Sequence, residues 1–103
     1  MSSQDFKRSD RIADLIKVEI SKVLSFEVKD PRVQGITVIA VNLTPDMKKA
    51  DILISSINSF HQIDPSEVKN GLDKAKGFIR KKLSNNLNLR RTPEIFFKIS
   101  DLI

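Results

Sequence analysis

Apolar positions along the chain fall into two helical stripes and three extended runs. After Ser9-Asp10, a pair suited to opening a helix, Ile12, Leu15, Ile16, Ile20, Val23 and Leu24 recur at helical spacing. This predicts one amphipathic helix. It should end before Asp30-Pro31, because the residue preceding a proline is pushed out of the helical region. Gly35 leads into residues 36–43, rich in β-branched side chains, which predicts a strand buried on both faces at its middle. Thr44-Pro45-Asp46-Met47-Lys48-Lys49 has the chemistry and length of a hairpin loop. Ala50–Ile57 alternates Ala50, Ile52 and Ile54 against Asp51, Leu53 and Ser55, so two neighbouring strands should pair antiparallel.

Asp64-Pro65-Ser66-Glu67 places a capping residue and an early-turn proline at the next helix start. Val68, Leu72, Ala75, Ile79, Leu83 and Leu87 then step by three or four. Gly77 interrupts this stretch, where glycine costs about 1 kcal/mol relative to alanine, so a kink or break is expected near Ala75-Lys76-Gly77. Asn85, Asn86 and Asn88 mark the fraying end. Ile95, Phe97 and Ile99 alternate with Phe96 and Lys98 after Pro93, giving a third strand. The expected order is helix, strand, strand, helix, helix, strand, in a single domain spanning 1–103.

Composition narrows the class. With 103 residues and 40% hydrophobic content the chain supports one core, and no run reaches the roughly 20 apolar residues a membrane span needs. No secretory leader is expected from the polar, mixed-charge start, and a cytoplasmic location is expected. Cysteine is absent, which removes disulfides, thiolate metal sites and cysteine nucleophiles.

Charge changes the picture more. The chain carries a net charge of +5. Residues 69–91 hold Lys69, Lys74, Lys76, Arg80, Lys81 and Lys82, then Arg90 and Arg91, against Asp73 alone. The whole surplus therefore lies in this one segment. Such a block suits phosphate contacts, while a solvated helix face is the plainer reading. A basic face docking an acidic protein is a third.

Catalytic chemistry has little to use. His61 is the only histidine, in a loop near Asp64, and a local hydrogen bond explains it. Asp5, Asp10 and Asp14 read as surface charges along the first helix. Gly35, Gly71 and Gly77 form no phosphate-cradling loop. Neither catalytic activity, a metal, a cofactor nor a small-molecule substrate is expected. The six phenylalanines read as core rather than stacking platforms, and Trp and Tyr are absent, so backbone and shape should dominate any RNA contact. Lys76, Arg80 and Arg91 could reach a phosphate backbone. A true break at Gly77 would add free backbone N–H groups, whereas a simple bend would not.

Five segments in order resemble the bacterial ribosome-binding factor A family, from about Arg8 to Asp101. They are Arg8-Ser9-Asp10-Arg11-Ile12, Lys29-Asp30-Pro31-Arg32, Ala50-Asp51-Ile52-Leu53-Ile54-Ser55, Ala75-Lys76-Gly77-Phe78-Ile79-Arg80 and Leu89-Arg90-Arg91-Thr92-Pro93-Glu94-Ile95-Phe96-Phe97. The resemblance implies an α+β, type II KH-like fold of order α-β-β-α-α-β. Its three-stranded sheet would carry helices on one face, with an interrupted helix at Ala75-Lys76-Gly77 where other KH domains have a Gly-X-X-Gly loop.

The resemblance also implies a monomer that binds the free 30S small ribosomal subunit through 16S rRNA. Assistance in late maturation and processing of 16S rRNA, and cold adaptation, go with it. The RNA-binding residues it suggests are Lys74, Lys76, Gly77, Arg80, Lys81, Arg90 and Arg91, with Lys7, Arg8 and Arg11 on the first helix as weaker additions. The alternative is a generic KH-like module for single-stranded RNA. Several residues keep a structural reading as well: Asp30-Pro31-Arg32 as a loop anchor, Arg90-Arg91 as donors to loop carbonyls, and Lys48 and Lys49 as solvated. Many family members continue past the third strand with a tail, which bears on any contact beyond Ile103.

Overall fold

Helix α1 spans Ser3–Phe26 and packs its Ser9, Ala13, Ile16, Ile20 and Val23 face inward. The computed structural model describes residues 3–55 and 64–100, with side chains of α1 described from Arg8 onward. His61, Phe60 and the end of the second expected strand at Ile57 lie outside the described residues, as do the side chains of Asp5, Phe6 and Lys7.

Two expectations for α1 are corrected. The helix begins before Ser9-Asp10, and Ser9, 3% exposed, is a small buried position rather than a cap. Ser9 and Ala13 extend the apolar stripe one turn toward the N-terminus, and burial along that face outweighs the local capping preference. Leu15, placed on the stripe by spacing, is 51% exposed, because the buried face runs through Ala13 and Ile16 on its flank.

α1 closes where Glu27 N and Val28 N both donate to Val23 O, at 2.9 and 3.0 Å. Asp30 then caps a 3-10 turn, η1, over Pro31–Val33. Its carboxylate accepts from Arg32 N at 2.9 Å and from the Arg32 guanidinium through both oxygens, the shortest contact being 2.7 Å. Arg32 also lies 3.8 Å from Glu67. The loop-anchor reading of Asp30-Pro31-Arg32 is the arrangement found. Gly35, at φ 77°, turns the chain into β1.

Strands β1 (Thr37–Leu43) and β2 (Lys49–Ser55) pair antiparallel, and β3 (Glu94–Ile99) joins β2 in parallel, giving the sheet order β1-β2-β3. Val38, Ala50, Ile52, Ile54, Ile95 and Phe97 all point to the helical side and are buried. The opposite face carries the cross-strand positions Ala40↔Leu53, Asp51↔Phe96 and Leu53↔Lys98, with Lys98 Nζ 3.2 Å from Asp51. β1 is therefore not buried on both faces as expected. It is an edge strand covered by α1 on one side, and Ile39 sits at the irregularity between Val38 and Ala40.

Helix α2 spans Pro65–Leu87 as one continuous element. Asp64 caps it, accepting from Ser66 N at 2.8 Å with Pro65 in the first turn, as the sequence indicates. The interruption expected at Ala75-Lys76-Gly77 is absent, and so is the second helix it would have created; the order is α-β-β-α-β. The physical reason is a matter of size. A helical glycine costs about 1 kcal/mol, whereas burying Ile79 and Leu83 beyond it recovers roughly 2 kcal/mol each.

The glycine that lies in close packing is Gly71. A Cβ there would meet Val33 Cγ1 at 3.0 Å and Arg32 Cβ at 3.1 Å, while a Cβ on Gly77 would meet nothing within 4 Å. Gly71 lets α2 approach η1 closely, so the stop motif and the crossover helix lock together.

Candidate nucleic-acid interface

Because α2 is regular, its basic residues fall on definable faces. Lys74, Gly77 and Lys81 occupy positions i, i+3 and i+7, one exposed stripe looking away from the core. The missing side chain at Gly77 leaves open helix surface between two ammonium groups. Lys74 also sits near enough to Asp30 to favour its charged form, adding to the larger effect of the Arg32 hydrogen bonds, which hold that carboxyl at about 2.

Lys76 and Arg80 lie one turn apart on the flank nearest β3. Lys76 Nζ is 3.6 Å from Asp73 and stands 5.7 Å from the centre of the Phe96 ring. Arg80 donates from Nε to Pro93 O and from a terminal nitrogen to Thr92 O, both at 3.2 Å. Arg80 thus grips the loop that leads into β3. Lys82 faces the other way: it pairs with Glu27 at 2.9 Å and stands 5.5 Å from the Phe78 ring.

Arg90 and Arg91 are exposed in the loop between α2 and β3, and neither bonds the loop carbonyls. That task falls to Arg80, a division of labour the sequence did not reveal. Asn88, in the left-handed region at φ 51°, ends α2 and swings the chain sideways. Parallel pairing of β3 with β2 carries this loop alongside the β1–β2 hairpin, fixed by Glu94 N donating to Lys48 O at 2.8 Å. The hairpin itself is held by Asp46, which accepts from the Thr44 hydroxyl at 2.7 Å and from Lys48 N at 3.1 Å. These bonds keep the Asp46 carboxyl below its ordinary pKa, the Thr44 hydroxyl contributing most.

Between hairpin, loop and the start of α1 lies a groove of about 410 Å³. Arg8, Arg90 and Arg91 line it together, so the structure brings the α1 and loop arginines into one place. Arg11 is exposed one turn along α1. The groove residues Met47, Asn88 and Leu89 were read from sequence as hairpin, helix end and loop, and not as candidate contacts. Only the asparagine at a helix end offered a signal, and the pairing that brings the two loops together is not readable from spacing. Among the described residues no group of His, Asp or Glu could hold a metal ion.

A mixed three-stranded sheet backed on one face by two helices, with a basic crossover helix between β2 and β3, defines a KH-like α+β domain. The family model for Ribosome-binding factor A matches residues 8–103, and the chain belongs to that family. It is 43% identical over 95 residues to the Ribosome-binding factor A of Syntrophus aciditrophicus, covering 90% of this chain and 74% of that protein. It is 37% identical over 97 residues to that of Dechloromonas aromatica, covering 94% and 76%. Among solved structures, the crystal structure of ribosome-binding factor A from Thermus thermophilus superposes with a TM-score of 0.76 at 20% identity, over 88% of this chain and 94% of that one. A Thermus thermophilus ribosome-binding factor A model fitted into a cryo-EM map of its complex with the 30S subunit gives 0.59 at 22% identity, over 82% and 90%. No helix among the described residues is long and apolar enough to cross a membrane.

Proposed function

We propose that this protein is a ribosome-binding factor of the small subunit, acting in the cytoplasm as a monomeric single domain. It binds the free 30S particle through 16S rRNA, assists the late maturation and processing of that RNA, and supports growth in the cold. The observation that carries this reading is the family match over residues 8–103. The Thermus thermophilus relative fitted to a 30S complex supports the choice of subunit.

The contact face is the exposed stripe of Lys74, Gly77 and Lys81, continued by Lys76 and Arg80 on its flank and by Arg90, Arg91, Arg8 and Arg11 beyond α2. Its action is binding, with no bond made or broken. Cations on a rigid helix displace counterions from the RNA backbone, and the bare surface at Gly77 admits a phosphate closer than any side chain would. A regular helix keeps its interior N–H groups engaged, so affinity comes from side chains and shape rather than from a phosphate-cradling loop. That is also why a generic single-stranded RNA module is the poorer description: no Gly-X-X-Gly loop is present to hold a strand.

Sedimentation of the purified protein with isolated small subunits, large subunits and complete ribosomes tests this, at about 150 mM salt to screen loose association. Selective pelleting with the small subunit is expected. Equal pelleting with every particle, or with none, overturns the reading.

A further inference from the structure

We infer that the groove between the β1–β2 hairpin and the α2–β3 loop receives one unstacked nucleotide of a single-stranded RNA segment, its base on the apolar side chains and its phosphates on the arginines. This rests on the RNA-binding reading above and adds to it a site for a base, which the open stripe of Lys74, Gly77 and Lys81 does not enclose.

Four features carry the inference. The groove's volume of about 410 Å³ falls in the usual range for small-ligand pockets, about 300–1,000 Å³. Its lining is mixed, and Ile12, Leu43, Pro45, Met47 and Leu87 are among the residues that give it apolar surface. Apolar side chains can sandwich a base without an aromatic ring. Its charge is lopsided: Arg8, Arg90 and Arg91 line it, and none of the three has an ion-pair partner among the described residues. Guanidinium groups grip phosphate through paired N–H donors.

The fourth feature sets orientation. Asp46 is the one carboxylate lining the groove among the described residues. The bonds from the Thr44 hydroxyl and Lys48 N both fall on Oδ1, so neither takes up Oδ2. A carboxylate repels phosphate and accepts from an exocyclic amino group. The base edge therefore faces the hairpin and the phosphates face the loop, and a base bearing an amino group is favoured over uracil. Asn88 also lines the groove, and an asparagine amide carries both a donor and an acceptor suited to the same edge. The two walls are joined by Glu94 N donating to Lys48 O at 2.8 Å, and Asp46 holds the hairpin wall in shape.

The test follows backbone amide resonances of isotope-labelled protein during titration with the trinucleotides ACA and UUU, with ACA lacking its central base, and with a glutamate-rich peptide. Shifts at Asp46, Met47 and Asn88 to Arg91 with ACA, weakened about tenfold on removal of the base, are expected, with UUU weaker than ACA. Arg90→Gln and Arg91→Gln should each weaken ACA about fivefold while leaving the spectrum folded. Shifts confined to residues 74–81 would keep the RNA-binding reading and overturn the groove. Shifts at the groove that ignore the missing base would reduce it to a phosphate contact and overturn the nucleotide. No response to RNA, or a response only to the acidic peptide, overturns it in favour of no ligand or of a protein partner; small-subunit sedimentation then reports separately on the broader reading.

Discussion

Arg80 donates from Nε to the carbonyl of Pro93 at 3.2 Å, and so ties the middle of α2 to the entrance of β3. The same side chain reaches Thr92 O with a terminal nitrogen. It belongs to the basic block, yet part of its donor capacity already serves the fold. Losing a bond of this kind typically costs about 1 kcal/mol. Arg80→Ala should lower the melting temperature by a few degrees and loosen the loop bearing Arg90 and Arg91, weakening RNA binding indirectly. Lys81→Ala should weaken binding with an unchanged melt. Equal melts for the two variants would contradict the assignment.

Gly71 and Gly77 should respond oppositely to alanine. At Gly71 the new methyl group meets Val33 and Arg32 within 3.1 Å, and overpacking of this kind costs about 1–3 kcal/mol. At Gly77 it enters open space on a helix, so Gly77→Ala should stabilise by about 0.5–1 kcal/mol. The same methyl group would hold a phosphate off the helix and reduce subunit binding. Chemical denaturation of both variants checks this. Loss of stability in Gly77→Ala would mean the helix does not run straight through that position.

Asp30 gives a pH signature. The Arg32 side chain, then the Arg32 backbone N–H, lower its carboxyl from 3.8 to about 2. A group whose pKa is lower folded than unfolded stabilises the fold fully above its unfolded value, and that stability is lost as pH falls from about 4 toward about 2. Asp30→Asn should therefore melt below wild type at neutral pH, with the gap closing near pH ~2. A gap of the same size at both ends would show that the ion pair contributes nothing.

Much of this fold is legible in the sequence. The Asp64-Pro65 start, the Thr44–Lys49 hairpin and the alternation at Ile95, Phe97 and Ile99 each rest on local chemistry, and each appears where spacing put it. Two of the misreadings share a cause, tertiary burial outweighing a local preference, whereas Leu15, Phe26, Phe78, Phe96 and the middle of β1 err the other way, being more exposed than their apolar character implies. Ser9 offers cap chemistry but lies on a buried face that extends the helix past it. Gly77 offers a break, but the Ile79 and Leu83 contacts hold the helix through it.

The candidate site was partly legible. The clustering of cations in 69–91 is a compositional fact, but its division is geometric. Lys82 turns to Glu27, Arg80 to the Thr92 and Pro93 carbonyls, and Arg91 shares a groove with Arg8. Only the parallel pairing of β3 on β2 makes that last meeting possible, and no spacing of residues encodes which strand pairs with which.

The central claim is that the face running from Lys74 and Lys81 to Arg90 and Arg91 holds the small subunit. The most direct measurement compares sedimentation with isolated small subunits for Lys74→Glu/Lys81→Glu, Arg90→Glu/Arg91→Glu and a charge-matched control, Lys22→Glu/Lys29→Glu, across a salt series. All three should fold like wild type. The first two should lose most of their binding, and the binding they retain should fall off less steeply with salt, by about one unit of logarithmic slope per contact removed. The control should differ from wild type by little. Equal losses in all three would mean the attraction is only net charge, and full binding by the first two would place the interface elsewhere on the molecule.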